Sequence, residues 1–392
     1  MNSSPDFTRA NAIAAQVTEF IRTEVIPYEP QAREGEHGPD EKLLSMLRER
    51  ARAAGILTPH IPRNGEHLSH REIAIVLRAA GWSPLGMVVL NVAAPDEGNM
   101  HLLSRVATPA QQEHFLKVLL EGRARSSFFM TEPAAENGAG SDPNMMTTTA
   151  RPEGKDWIIN GRKAFITGAA GASVGIIMAK TEAGATMFLV DLPLAGIKLE
   201  RPLRTIDYSM PGGHWIVTLD NVRVPGDQVL GEVGQAFKYA QVRLGPARLT
   251  HCSRWLGSCL RAHHVASEYT VRRSAFGKPL IEHEGVGFQL VDNLIDLKQS
   301  ELITDWAAGV LDSGSLAINE TSMAKVAVSE ALFRVADRCV QVMGGTGITR
   351  DTLVEQVFRE LRGFRIYDGP TEVHKYSLAK KIKRDVLNGM RS

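Results

Sequence analysis

The chain has 392 residues, 43% hydrophobic and 23% charged, a mix that suits a globular protein of two or three domains. Lys plus Arg total 45 against Asp plus Glu 44, so no basic field points to nucleic acid or to an anionic membrane. Three scattered cysteines (Cys252, Cys259, Cys339) make neither a disulfide framework nor a metal-ligand spacing.

The start, MNSSPDFTRAN, lacks the basic and apolar blocks of a signal peptide, and the expectation is a cytoplasmic protein. From Asp6 to about Arg123 the pattern is helical, punctuated by Gly65, Pro84 and Pro95. Ala79–Pro95, the least charged stretch, is too broken for a membrane span and reads as a buried helix–turn–helix. Thr108-Pro109-Ala110-Gln111 reads as a helix start, with Thr108 as the cap. His67 and His70 fall in a polar loop and read as solvated.

Texture changes near Ser126. Phe128-Phe129-Met130 leads into Thr131-Glu132-Pro133, then a loop to Gly138-Ala139-Gly140-Ser141-Asp142. Such a loop suits a polar planar ligand, and its pattern alone fits a surface turn equally well. Met145 and Met146 read as packing residues. Short β-branched and aromatic runs follow at 157–159, 164–167, 174–177, 187–190 and 215–218, separated by turn clusters, which predicts a barrel or sandwich. After Gly234 the helical period returns, with segments 235–272, 284–312, 317–343, 351–365 and 370–387 each long enough for a bundle helix. His251, His263 and His264 lie on the first of these without acidic or Cys partners at metal spacing, so no metal is expected. Gln341-Val342-Met343-Gly344-Gly345 follows a helix rather than a strand, which excludes a dinucleotide fingerprint and reads as a glycine helix stop.

Several of these stretches resemble signatures of the acyl-CoA dehydrogenase family. They are the Thr-Glu-Pro…Gly-Ser-Asp loop, Lys163-Ala164-Phe165-Ile166-Thr167-Gly168, Leu219-Asp220-Asn221-Val222-Arg223-Val224-Pro225, Arg273-Ser274-Ala275-Phe276-Gly277-Lys278-Pro279-Leu280, Gln341–Gly345 and Arg365-Ile366-Tyr367-Asp368-Gly369-Pro370-Thr371-Glu372. The resemblance implies an α+β multidomain fold: an N-terminal all-α domain (1–124), a middle β-barrel domain (125–233) and a C-terminal four-helix bundle (234–392). It implies FAD as cofactor, contacted by Met130, Thr131, Ser141, Phe165, Thr167, Arg273, Phe276, Gln341, Gly345, Pro370, Thr371 and Glu372. Arg273 would reach the FAD of a neighbouring subunit, hence a homo-dimer or homo-tetramer. Ser141, Gly245, Arg248 and Gly369 would bind the acyl-CoA substrate, and an electron-transferring flavoprotein would reoxidise the flavin, in the chemistry of fatty acid metabolism.

The base that removes the α-proton would be Asp368, where most relatives carry Glu. Its side chain is one methylene shorter, so backbone or substrate must shift to keep reach, and Ile366 and Tyr367 offer an apolar wall. A second position used for the base in the family falls at Ala247, which carries no carboxylate. Other departures are Phe165 for Trp, Glu284 for Gln, Gln356 for a basic residue, Pro370 for Thr, and about four extra residues between Pro133 and Gly-Ser-Asp. The Asp base admits an alternative of the same superfamily, a nitroalkane-oxidase-like flavoprotein. A catalytically silent flavin-binding relative and a helical scaffold without flavin are the remaining readings.

Overall fold

The computed structural model describes residues 6–61 and 67–389. Gly65, read above as a breaker, lies outside them. The residues group into two compact units. One comprises Met1–Pro30, Pro59–Met87 and Arg248–Ser392, and the other Gln31–Thr58 and Val88–Ala247. The N-terminal helices are thus shared between the units, and the helix Ala236–Arg272 contributes its first twelve or so residues to one and the rest to the other.

The second unit is built on one sheet of eight strands: β1 Ser126–Phe129, β2 Thr149–Glu153, β3 Asp156–Thr167, β4 Val174–Thr181, β5 Gly184–Asp191, β6 Ile197–Leu203, β7 His214–Pro225 and β8 Val229–Leu230. The order is β6-β7-β3-β2-β4-β5-β8, with β1 parallel to β4. The terminal strands β6 and β8 do not pair with each other, so the described strands form an open sheet and not the closed barrel expected. Closure needs a register stagger along every strand, and β8 has only two residues with which to supply a partner.

The continuous apolar runs of β4 and β5 are buried on both faces. Alternate side chains go to opposite cores. Val174, Ile176, Met178, Met187 and Leu189 join Met100, Leu102 and Leu103 of the helix Asp96–Val106. Ile177, Ala179, Phe188 and Val190 face Phe129, Ile159, Val217 and Leu219 instead. Thr108 caps its helix as expected, in a reciprocal box with Gln111.

In the other unit, helices Glu284–Asp312, Ile318–Met343, Leu353–Phe364 and Thr371–Leu387 follow the predicted segments to within a residue or two. Ile318–Met343 buries Thr321, Lys325, Val328, Leu332, Val335, Cys339 and Val342, one stripe at helical spacing, and stops at Gly344 (φ +55°). A second close approach uses glycine as well: a Cβ on Gly257 would stand 2.2 Å from the Arg78 carbonyl oxygen, so only glycine lets the long helix meet His70–Ala80 there. No described helix is long and apolar enough to cross a membrane.

Candidate active site

In the sheet unit, β1 runs on through Met130 into Thr131-Glu132-Pro133, and the Glu132 side chain turns inward. It is fully buried against Lys163 of β3, Nζ to Oε1 3.0 Å. Thr147 donates its N–H and its hydroxyl to Oε2 (2.7 Å each), and Thr148 donates its N–H to Oε1 (3.0 Å). Burial pushes the Glu132 carboxyl up, but the Lys163 ammonium and the threonine donors outweigh it and hold it at about 2. Burial brings Lys163 down to about 8 against the pull of Glu132. Both groups therefore carry charge at neutral pH.

This clasp anchors the strand ends that carry the motif residues. Lys163 Nζ also donates to the Met130 carbonyl (3.1 Å), and the Ala164 N–H donates to the Thr131 carbonyl (2.9 Å). Between Lys163 and Ile166 the β3–β7 register slips, and Phe165 takes φ +55° with its ring 57% exposed. Positive φ is uncommon for a residue with a bulky side chain, and a bulge is the device that re-aims one. Two residues on, Thr167 Oγ1 lies 2.9 Å from His214 Nδ1, and His214 Nε2 lies 2.9 Å from Asp207 Oδ2. A neutral His214 with its proton on Nε2 accepts the Thr167 hydroxyl. Ser141 is exposed on its loop, which carries the turn Ala134–Glu136 and Asn137 at φ +51°.

In the helical unit, residues 365–370 link Leu353–Phe364 to Thr371–Leu387. Asp368 (φ +53°) and Gly369 (φ +101°) both sit at positive φ. Three buried side chains hold their carbonyls: Arg248 Nε (3.4 Å) and His374 Nε2 (3.1 Å) donate to Asp368, and Lys325 Nζ (2.6 Å) donates to Gly369. A carbonyl only accepts, so His374 carries its proton on Nε2. Burial, Arg248 and Lys325 together push His374 down to about 4, and it is neutral at pH 7. Burial lowers Lys325 to about 8, with Asp368 opposing.

The Asp368 carboxylate faces His251 of the long helix, Oδ2 to Nε2 3.1 Å. His251 Nδ1 in turn lies 3.0 Å from the Arg254 guanidinium. The expected apolar wall is half present: Tyr367 is half-buried and receives the Trp255 N–H at 2.6 Å, whereas Ile366 is 54% exposed. Gly369 is obligatory here. An added Cβ would lie 2.6 Å from His374 Nε2. Gly369→Ala is expected to cost about 1–3 kcal/mol of unfolding free energy, read by urea denaturation, since it adds backbone strain and displaces His374.

Arg273 precedes a small hairpin in which Ser274–Ala275 pairs with Lys278–Pro279. Phe276 (φ +51°) and Gly277 (φ +85°) form its turn, the geometry that two-residue hairpins favour. Phe276 is 96% exposed at the tip, and Arg273 is exposed and makes no ion pair with the described residues of the chain. Gln341 is exposed at its helix end, and Gly345 is exposed in the turn that follows. Thr371 is buried and donates to Glu330 Oε1 (2.7 Å), Pro370 is half-buried and Glu372 exposed. Gly245 is buried within the sheet unit. Met146 packs as expected, but Met145 is 47% exposed.

Asp368, Gly369 and Arg248 are thus brought together, in company that sequence reasoning passed over: His251, Arg254, Lys325 and His374. A usable signal was present. Arg248, His251 and Arg254 recur at three-residue spacing, and His251 and Trp255 at four, which places polar groups on neighbouring positions of one buried helix. A search for metal spacing misses it because the acid lies on another element. The described residues contain no metal-binding cluster of His, Cys, Asp or Glu.

Three family models match in chain order: Acyl-CoA dehydrogenase, N-terminal domain, at residues 8–123, middle domain at 127–218 and C-terminal domain at 234–383. The probable acyl-CoA dehydrogenase FadE2 of Mycobacterium tuberculosis is 36% identical over 324 residues, 80% of this chain and 79% of that protein. Acyl-CoA dehydrogenase family member 11 of Gallus gallus is 33% identical over 95% of this chain, which spans about half (50%) of that relative's length. A solved structure from Mycobacterium abscessus, provisionally assigned as an acyl-CoA dehydrogenase, superposes with a TM-score of 0.89 at 35% identity, covering 98% of this chain and 100% of that one. With the motif residues seated on a matching fold and relatives alike over most of its length, the chain belongs to the acyl-CoA dehydrogenase family.

Proposed function

We propose that the protein is an FAD-dependent acyl-CoA dehydrogenase that uses Asp368 to take the α-proton of an acyl-CoA thioester. The single observation that carries this reading is the placement of the Asp368 carboxylate. It is only 20% exposed, hydrogen-bonded to a helix side chain, and held in a turn braced by three buried cationic or imidazole groups. A base needs reach and a fixed direction, and this turn supplies both. Gly369 gives its N–H to no backbone acceptor among the described residues, which leaves it free to polarise the thioester carbonyl.

The residues present fit FAD. Phe165 offers an exposed aromatic face, Thr131 just past β1 and Thr167 at the end of β3 carry hydroxyls, and Arg273 offers a fork of donors suited to a diphosphate. Bound FAD would supply the two-electron acceptor for the β-carbon's hydrogen. The chain's own part is to hold the α-carbon against Asp368, to polarise the carbonyl, and to keep the proton. The face of Glu284–Asp312 that carries Phe288, Val291, Ile295, Leu302 and Trp306, each 46–64% exposed, supports assembly into a homo-dimer or homo-tetramer. An electron-transferring flavoprotein is the acceptor this chemistry calls for.

The test is anaerobic titration of the FAD-loaded protein with acyl-CoA thioesters of different length, following flavin absorbance. Bleaching by at least one of them is the expected result. A flavin that no thioester bleaches, or a protein that retains no FAD, defeats the proposal.

A further inference from the structure

His251 stands between two charged groups with opposite hydrogen-bonding needs. Nδ1 faces the Arg254 guanidinium at 3.0 Å and Nε2 faces Asp368 Oδ2 at 3.1 Å. A guanidinium has donors and no acceptor, so Nδ1 offers its lone pair, and the ring's one proton sits on Nε2, aimed at the carboxylate. We infer that His251 is a positioning residue for the base: oriented by Arg254, it donates Nε2–H to Oδ2 of Asp368 and fixes the direction of the carboxylate that takes the α-proton. This rests on the reading of Asp368 as base.

The ring is placed to do this rigidly. His251 is 7% exposed and Arg254 2%. The imidazole lies 4.8 Å from the Tyr367 ring and 5.9 Å from that of Phe364, while Trp255, one turn along the same helix, fastens Tyr367 through its hydroxyl. An Asp carboxylate rotates broadly about its last torsion, with its two oxygens nearly equivalent. One fixed donor removes that equivalence. The short Asp side chain thereby gains a defined direction that its position in a positive-φ turn does not supply.

The proton follows one path. The α-C–H bond breaks, the proton goes to the Asp368 carboxylate, and the electron pair moves into the thioester carbonyl system. His251 does not take the proton onward, because a second ring proton on Nδ1 would face the Arg254 cation. Asp368 is also faced by Arg248 from the long helix, Lys325 from Ile318–Met343, His374 from Thr371–Leu387 and Tyr367 from its own turn, with Arg254, Cys252, Glu330 and Glu360 one step further out.

The test compares His251→Leu and His251→Gln holoenzymes with wild type in single-turnover reduction by a bleaching thioester, across pH. A donor to the ionised carboxylate favours its charged form. Losing it in His251→Leu moves the acid limb of the rate profile upward by about one pH unit and slows reduction by about 10²-fold. His251→Gln, whose amide N–H reaches the same oxygen, recovers most of both. A Leu variant with the wild-type limb and rate overturns the inference, as does a Gln variant no better than Leu at equal flavin content. Nitrogen-15 NMR of the histidines gives a readout that needs no substrate. A His251 proton on Nε2 is expected, and a proton on Nδ1 overturns the inference. Failure of every thioester to bleach wild type, with the Nε2–H tautomer in place, sinks the dehydrogenase reading and not the hydrogen-bond assignment.

Discussion

Asp368→Asn is expected to give a folded, yellow protein whose flavin acyl-CoA thioesters reduce at least about 10³-fold more slowly than wild type, in anaerobic stopped-flow. Asn keeps the shape of Asp, and its amide oxygen can still accept the His251 proton, but it cannot take a proton from carbon. General-base contributions of about 10²–10⁴ set the scale. Folding survives because the buried groups nearby have other anchors: Arg248 and His374 bind the residue 368 carbonyl, and Lys325 binds that of Gly369. Lys325 already stands at about 8, with Asp368 raising it, so loss of the carboxylate lets it shed its proton more readily. Asp368→Glu tests the geometry from the other side. Its extra methylene carries the carboxylate past His251 Nε2, and an intermediate rate follows. A wild-type rate in Asp368→Asn would rule out this base.

The second large effect falls on stability. Glu132→Ala is expected to cost about 3–5 kcal/mol, measured by urea unfolding, because it leaves the Lys163 ammonium buried without its partner. Replacing the pair by two apolar side chains recovers only part of this, since the N–H groups of Thr147 and Thr148 also lose their acceptor. The pH dependence follows from the same clasp. Glu132 is held at about 2 against an ordinary 4.5, so its contribution is fully present above pH 4.5 and is lost as pH falls toward 2. That difference is worth about 3 kcal/mol. Lys163 adds a second rise at the alkaline end: burial lowers it to about 8 from 10.5, and folding gains from this group as pH rises through that interval. Glu132→Gln should therefore flatten the acid limb of the stability curve between pH 4.5 and 2, and an unchanged limb would contradict the assignment.

The clasp also explains why Thr-Glu-Pro reads so clearly as a motif while its middle residue escapes a role. Glu132 works from below, holding Thr131 and the Phe165 bulge in place. The same holds for His214, which sits behind Thr167 and is supported by Asp207.

Elements whose signals are local could be read from the residues alone. Ile318–Met343 follows a 3.6-residue pattern and ends at Gly344, and Thr108 with Gln111 starts a helix by a bond three residues long. The runs of β4 and β5 are apolar on both faces, so burial spoke for them too. Weakly patterned strands were another matter. β2 and β6 each contain a proline and half-exposed residues, and only their neighbours make them strands. The open edges of the sheet, the sharing of the N-terminal helices between two units and the positive φ of Phe165 likewise depend on what packs where. The site divides in the same way. Asp368 and Gly369 stand in a short contiguous motif, but Arg248 meets them from 120 residues away, and Trp255 meets Tyr367 from 112. Residue spacing carries information over a few turns of helix, while hydrogen bonds between distant elements are set by how whole helices pack, and that is why His251 came to light only in three dimensions.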